Sequence, residues 1–230
     1  MRSLCFITAI ISVALGTGLA QETASRKLYP VDESHLDPSF LVFKTRLLEV
    51  VEKRDLDSLV SIAHAKLMLS IYDDPDVSGQ ERLRSFLEEM REEDRTRLWQ
   101  ELGDMLSLGV SHSDPQFCAP YAYVTFPREL SYGDHLVITG SDVPIRAKPN
   151  STAPIIDHLS YDIVTYLWRG RGALVWDTVE GERDHWLRIQ TPSGDTGYVW
   201  GKEAWRPSDR SVCFDKTDGQ WMMTSWTSPD

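Results

Sequence analysis

The sequence predicts an α+β protein with a helical N-terminal domain and a β-rich C-terminal domain. Between residues 36 and 109, apolar residues recur at the spacing of amphipathic helices. From residue 136 onward, short alternating runs are separated by clusters of Gly, Pro, Asn and Ser, which is the pattern of strands and turns. Near residue 110 the composition shifts from Leu, Glu and Arg to Trp, Tyr, Thr and Gly, which favours two domains.

The helical domain is predicted over residues 36–109 with about four helices. Asp37-Pro38 begins the first, and Ser78 with Glu81 forms a capping box before another. A short helix over residues 55–63 and a last one from Asp94 to near Gly109 complete the set, whereas residues 66–71 fit either a helix tail or a strand. The apolar stripes are interpreted as packing faces and not as a cofactor site.

Residues 110–135 are predicted to form a linker that includes a joining strand over residues 122–126. The most informative β-pattern follows in residues 186–205, where two alternating runs flank the turn sequence TPSGDTG. Alternation places Leu187, Ile189 and Val199 on one face, and Trp186, Arg188 and Trp200 on the other. Residues 207–230 are predicted to form a terminal hairpin that turns at residues 218–219.

Residues 136–206 resemble a bacterial SH3-like domain. The resemblance is carried by a strand, a V-x-I-R-A element at residues 143–147, a Pro-Asn-Ser loop, a W-L-R-I strand, and S-G-x-T-G-Y-V at residues 193–199. It implies a small SH3-like β-barrel, with the terminal hairpin as an extension, that binds cell-wall or peptide ligands. The chain departs from the family at Pro144, at Tyr198 and in the long connection of residues 167–184.

Residues 1–20 are predicted to be a signal peptide, with Arg2 before an apolar core and small residues at the end. Residues 21–35 are predicted to be a flexible leader. The protein is therefore expected in the periplasm or outside the cell, with no stable membrane insertion after cleavage. The formal net charge of −11, one unit more negative without Arg2, argues against nucleic acid or an anionic lipid surface as a partner.

Cleavage would leave Cys118 and Cys213 as the two thiols of an exported chain, so a disulfide between them is predicted. The alternative is a catalytic Cys118, but residues 115–121 carry no recognisable nucleophile signature. The six histidines are scattered without metal-ligand spacing, so neither a metal site nor a cofactor is predicted.

Seven of the eight tryptophans lie between Trp168 and Trp226. Four are candidate ligand contacts: Trp186 and Trp200 on the outer face of the hairpin, and Trp168 and Trp176 on the inserted connection. The preferred hypothesis is an exported, non-enzymatic protein that binds peptidoglycan, a wall peptide or an envelope protein. An envelope hydrolase remains the alternative, with catalytic acids among Glu81, Glu88, Glu89 and Asp104 of the helical domain, and an accessory or inhibitor protein is a third hypothesis.

Overall fold

A computed structural model of the chain describes residues 26–69, 73–170 and 174–227, so the predicted signal peptide lies outside the described residues. The described part contains five α-helices: α1 (Pro38–Lys53), α2 (Leu56–Ser61), α3 (Gly79–Glu88), α4 (Glu92–Ser107) and α5 (Tyr121–Thr125). No helix in these ranges is long and apolar enough to cross a membrane.

Local side-chain chemistry explains where the predicted helices begin. At α1, the Asp37 carboxylate accepts hydrogen bonds from the backbone N–H groups of Ser39 at 2.7 Å and Phe40 at 3.3 Å. At α3, the Ser78 hydroxyl accepts from the Glu81 N–H at 3.3 Å. Both caps satisfy backbone donors that the first helical turn leaves without partners. The helix expected from Asp94 begins two residues earlier, at Glu92.

The chain forms thirteen described strands. They are β1 (Ala63–Met68), β2 (Ser111–Ser113), β3 (Gln116–Ala119), β4 (His135–Ile138), β5 (Val143–Arg146), β6 (Ile155–Leu159), β7 (Ile163–Tyr166), β8 (Leu174–Val179), β9 (Glu182–Gln190), β10 (Thr196–Trp200), β11 (Ala204–Trp205), β12 (Ser211–Thr217) and β13 (Gln220–Thr227). Residues 66–68 of the ambiguous segment thus belong to β1, and residues 70 and 71 lie outside the described residues.

The first sheet has the order β1-β13-β12-β3-β2 and lies against the helices. The predicted terminal hairpin is present as β12 and β13, but it does not extend the second sheet. Instead β13 pairs in parallel with β1, and β12 pairs with β3. The described part of residues 36–109 therefore contains four helices and strand β1, and β1 shares this sheet with the C-terminal hairpin. The helix stripes bury Phe40 and its neighbours against Phe117, Phe214 and Trp221 of this sheet.

The prediction of a joining strand over residues 122–126 is wrong, because residues 122–125 belong to α5 and Phe126 follows the end of this helix. Tyr121 and Ala122 are both fully buried, together with Phe126, against Val137 and Trp205. A strand would point the adjacent Tyr121 and Ala122 to opposite faces, whereas one helical turn lets both reach the same core.

The second sheet has the order β11-β4-β7-β9-β10-β5-β6, and β8 pairs with β9 beside this path. It curves around one apolar cluster that includes Leu136, Ile145 and Val164, together with Leu187, Ile189 and Val199 as predicted from alternation. Among the described residues, the end strands β6 and β11 do not pair with each other. The sheet is therefore open, and the closed barrel expected for residues 136–206 is not observed.

The described part of the inserted connection, residues 167–170 and 174–184, includes one strand and the start of the next, which form a hairpin. Strand β8 pairs with β9, from Leu174 opposite Leu187 to Val179 opposite Glu182. Strand β9 continues into the sheet, where it pairs with β10. We call β8 and the facing residues 182–187 of β9 the arm. The insertion thus adds a two-stranded projection next to the outer face of the sheet.

The described part of the predicted flexible leader is held against the body of the protein. Lys27 donates to both carboxylate oxygens of Asp162, at 3.0 and 2.9 Å, and the N–H of Leu28 donates to the carbonyl of Tyr161. The N–H of Glu33 bonds to the carbonyl of Val110. Residues 26–35 therefore act as a connecting strap between the two sheets and not as a free leader.

The predicted disulfide is confirmed. Cys118 on β3 lies directly opposite Cys213 on β12, and their Cα atoms are 4.1 Å apart. The bond closes a loop with a sequence separation of 95 residues that contains the whole second sheet.

Candidate functional site

The candidate site begins with a tryptophan pair on the outer face of the second sheet. Trp186 of β9 lies opposite Trp200 of β10, and their ring centroids are 5.1 Å apart at an interplanar angle of 57°. The neighbouring pair, Leu187 and Val199, points inward and is fully buried. Because side chains alternate along a strand, burial of the inner pair fixes both tryptophans on the outer face.

The expectation that Trp186 is exposed is wrong, since only 3 % of its surface is accessible. Strand β8 lies beside it, and the indole N–H of Trp186 donates to the Asp177 carboxylate of β8 at 3.0 Å. Trp200 is half-buried and forms the more accessible half of the pair. Trp186 therefore packs against Trp200 as the buried ring of the pair, and Trp200 provides the ring surface that a ligand could contact.

Above this pair lies a groove of about 380 Å³, which we call the aromatic groove. Its walls come from β5, the loop after β5, the tip of the arm and the turn after β10. The lining residues are Pro144, Arg146, Ser151, Val179, Glu180, Glu182, Trp186, Trp200, Lys202 and Glu203. The volume falls within the range of about 300–1,000 Å³ that is usual for ligand sites.

The two cations of the groove are already engaged by the protein. Arg146 donates to the Ala153 carbonyl at 2.8 Å, and the Lys202 ammonium contacts the Asp104 carboxylate of α4 at 2.9 Å. Burial alone would lower the pKa of Lys202, but the bond to Asp104 and the charges of Glu182 and Asp184 outweigh it and raise this pKa. Lys202 is therefore a fixed positive charge at neutral pH.

The three carboxylates of the groove differ from Lys202 in their ion pairing. Glu180, Glu182 and Glu203 form no ion pair with any residue in the described ranges. Lys202 is paired with Asp104, whereas Arg146 donates to a neutral carbonyl and keeps its positive charge. With three carboxylates against two cations, the groove combines an aromatic floor with an excess of negative charge.

The other two tryptophan candidates lie outside the groove. Trp168 is 46 % exposed, donates to Asp134 at 3.1 Å, and carries the Arg169 guanidinium 4.6 Å from its ring centroid. Trp176 is 51 % exposed and lies on the opposite face of the arm from Trp186. The structure thus brings Trp186 and Trp200 together but leaves Trp168 and Trp176 apart from them.

The acids proposed for a hydrolase line neither the aromatic groove nor a second cavity of the described structure. Glu88 pairs with Arg84 at 3.3 Å, and Asp104 pairs with Lys202. A cavity of about 250 Å³ does open beside α4, but its lining is Arg54, Leu56, Glu92, Arg95, Thr96 and Trp99. None of the four proposed acids is part of it.

Within the described residues, no group of three His, Cys, Asp or Glu side chains is arranged to hold a metal ion. Sequence reasoning did not identify Glu180, Glu182, Lys202 or Arg146 as part of a site. The one available signal was the outward direction shared by Trp186 and Trp200, which marks the place where residues flanking the two strands meet.

Searches against protein-family models, curated proteins and solved structures find no match to this chain.

Proposed function

We propose that the protein is an exported, non-enzymatic binding protein whose C-terminal SH3-like domain binds a peptide of the cell wall in the aromatic groove. The observation that carries this proposal is the Trp186–Trp200 pair at the floor of a ligand-sized groove. Aromatic rings supply large apolar contact area at little entropic cost, and they stack on sugar rings or on the apolar parts of a peptide.

The charge of the groove favours a ligand with free amino groups. Glu180, Glu182 and Glu203 outnumber the two cations of the groove, and one of these cations, Lys202, is already paired with Asp104. The chain as a whole carries a formal charge of −11, which repels anionic polymers. Peptidoglycan peptides with exposed amines fit this chemistry better than anionic wall polymers, and an amine-bearing segment of an envelope protein is the nearest competitor.

Two observations support the exported location. Residues 1–20 have the charged start, apolar core and small-residue end of a signal peptide. The Cys118–Cys213 disulfide is typical of proteins that mature in an oxidising compartment.

The test is retention of the purified protein by protein-free peptidoglycan sacculi. Trp200→Ala should reduce the affinity by about ten-fold or more, since a truncated aromatic contact at a binding site commonly costs more than 1.4 kcal/mol. Trp168→Ala is the matched control, because it removes an equally large, exposed ring outside the groove. Failure of the parent protein to bind sacculi, or equal losses in the two variants, would overturn the proposal.

A further inference from the structure

Strand β8 forms an edge of the second sheet. All six of its residues pair with β9, and no described strand pairs with its other side. The free side of an edge strand presents unpaired N–H and C=O groups, which are a template for another extended chain. This edge lies on the arm, whose tip also lines the aromatic groove, but it faces away from β9.

The two edges of the first sheet are blocked by side chains. On β1, the Gln80 amide donates to the carbonyl of Ala63, and the Arg82 guanidinium donates to the carbonyl of Leu67. On β2, which has three residues, the Glu33 carboxylate accepts from the N–H of His112 at 2.6 Å. Neither strand is therefore free to add a partner.

The end strands of the second sheet are also protected. Strand β11 has two residues, which is too short to hold a partner. Strand β6 changes register against β5 between Ile145 and Arg146. Asp157 of β6 lies opposite the buried Ile145, so a charge sits on the core side of this edge. Bulges, short lengths and inward charges are the usual means by which proteins disable an edge.

Strand β8 has six residues, no bulge and no charged side chain on its core side, and one of its outward N–H groups, that of Thr178, is capped by a side chain. Its sequence LVWDTV contains no Pro, Gly or Lys, and its register with β9 is continuous. The N–H of Thr178 donates to the Asp177 carboxylate at 2.7 Å, which shows that this N–H points away from β9. Because the direction alternates in an antiparallel pair, the N–H and C=O of Trp176 also point to the free side.

The arm has two faces of different chemistry. On one face Trp176 lies opposite His185, with the Arg183 guanidinium 5.5 Å from its ring centroid. On the other face Asp177 lies directly opposite Asp184. Asp184 contacts the His185 ring at 2.7 Å. Asp177, in contrast, accepts only from the Trp186 indole and the Thr178 N–H and forms no ion pair with any described residue. The charge of Asp177 can therefore attract a cation from a partner.

We infer that β8 is a docking edge for an extended peptide in which basic and apolar residues alternate. The peptide adds a strand beside β8, with its basic side chains next to Asp177 and its apolar side chains next to Trp176. A second copy of this chain is a poorer partner. Pairing β8 with β8 brings another Asp177 and Asp184 to the same face, between molecules that each carry a formal charge of −11.

The experiment titrates the protein with a capped synthetic peptide of alternating Lys and Val and follows amide hydrogen exchange by NMR. Binding should slow exchange of the Trp176 amide. Asp177→Asn should weaken binding about three- to five-fold, as expected for one surface ion pair. Asp157→Asn is the matched control. Like Asp177, the Asp157 carboxylate accepts a hydrogen bond from the N–H of the next residue, at 2.8 Å, but Asp157 lies on β6, whose edge is blocked.

Four results would overturn the inference. The first is that the peptide does not bind at millimolar concentration. The second is that the slowed amide exchange lies at β6 or at the aromatic groove and not at β8. The third and fourth are that a peptide with Glu in place of Lys, or a peptide N-methylated along one edge, binds as tightly as the original peptide. Sedimentation of the protein without peptide is a further test. If the protein alone is a dimer, and Trp176→Ala dissociates this dimer, the edge binds a second copy of the chain and the inference is wrong.

Discussion

Removal of the disulfide should cost much of the stability of the folded chain. Cys118→Ala combined with Cys213→Ala opens a loop with a sequence separation of 95 residues. For a loop of this length, the chain-entropy relation gives about 4–5 kcal/mol. Both sulfur atoms lie in a buried strand pair flanked by Phe117–Phe214 and Ala119–Val212, so the ladder itself should persist. The loss is therefore expected in the free energy of unfolding and not in the fold.

Urea denaturation followed by tryptophan fluorescence measures this loss. Three samples are compared: the oxidised parent, the parent in reductant, and the double variant. The reduced parent keeps both sulfur atoms, so its difference from the oxidised parent isolates the covalent link. A free energy of unfolding within about 1 kcal/mol of the oxidised parent in both other samples would refute the loop-closure reasoning.

Three further predictions concern the helical layer. Phe40→Ala should lower the free energy of unfolding by about 3–5 kcal/mol, because this fully buried ring stacks on Phe117 at 4.1 Å; a loss below 1 kcal/mol in urea would contradict the packing described. The Ser39 hydroxyl, helped by Lys216 and two backbone N–H groups, holds the pKa of Asp37 at about 2, below its ordinary 3.8. The stabilising contribution of ionised Asp37 is present above about pH 4 and is lost as the pH falls toward 2. In thermal melts, the melting temperature of Asp37→Asn should therefore fall less steeply with decreasing pH than that of the parent. Burial raises the pKa of Glu101 above 4.5 despite Arg210, so the ionised form is disfavoured in the folded state and its cost grows as the pH rises. Glu101→Gln should therefore raise the melting temperature at pH 7, and this gain should shrink below pH 4.5.

The features that sequence predicted are those set by near neighbours along the chain. The cap at Asp37 and the capping residue Ser78 locate two helices because the donors they satisfy lie within three residues. Alternation in residues 186–200 places Leu187 and Val199 in the core because side-chain direction depends on strand geometry alone.

The features that sequence missed depend on distant partners. Strand β1 is recognisable only once β13, which follows the second sheet in the chain, is available to pair with it. Trp186 is buried beside strand β8 of the inserted connection, and nothing local indicates that contact. The groove charges at Glu182 and Lys202 become neighbours only through the pairing of Trp186 with Trp200.

The indole N–H resonances of the tryptophans test the central claim most directly. A soluble disaccharide-peptide fragment of peptidoglycan is titrated into the ¹⁵N-labelled protein. Binding in the aromatic groove should shift the Trp200 and Trp186 signals, while those of the core residues Trp99 and Trp226 stay in place. A fragment that binds without moving the Trp200 signal, or that does not bind at millimolar concentration, would contradict the account.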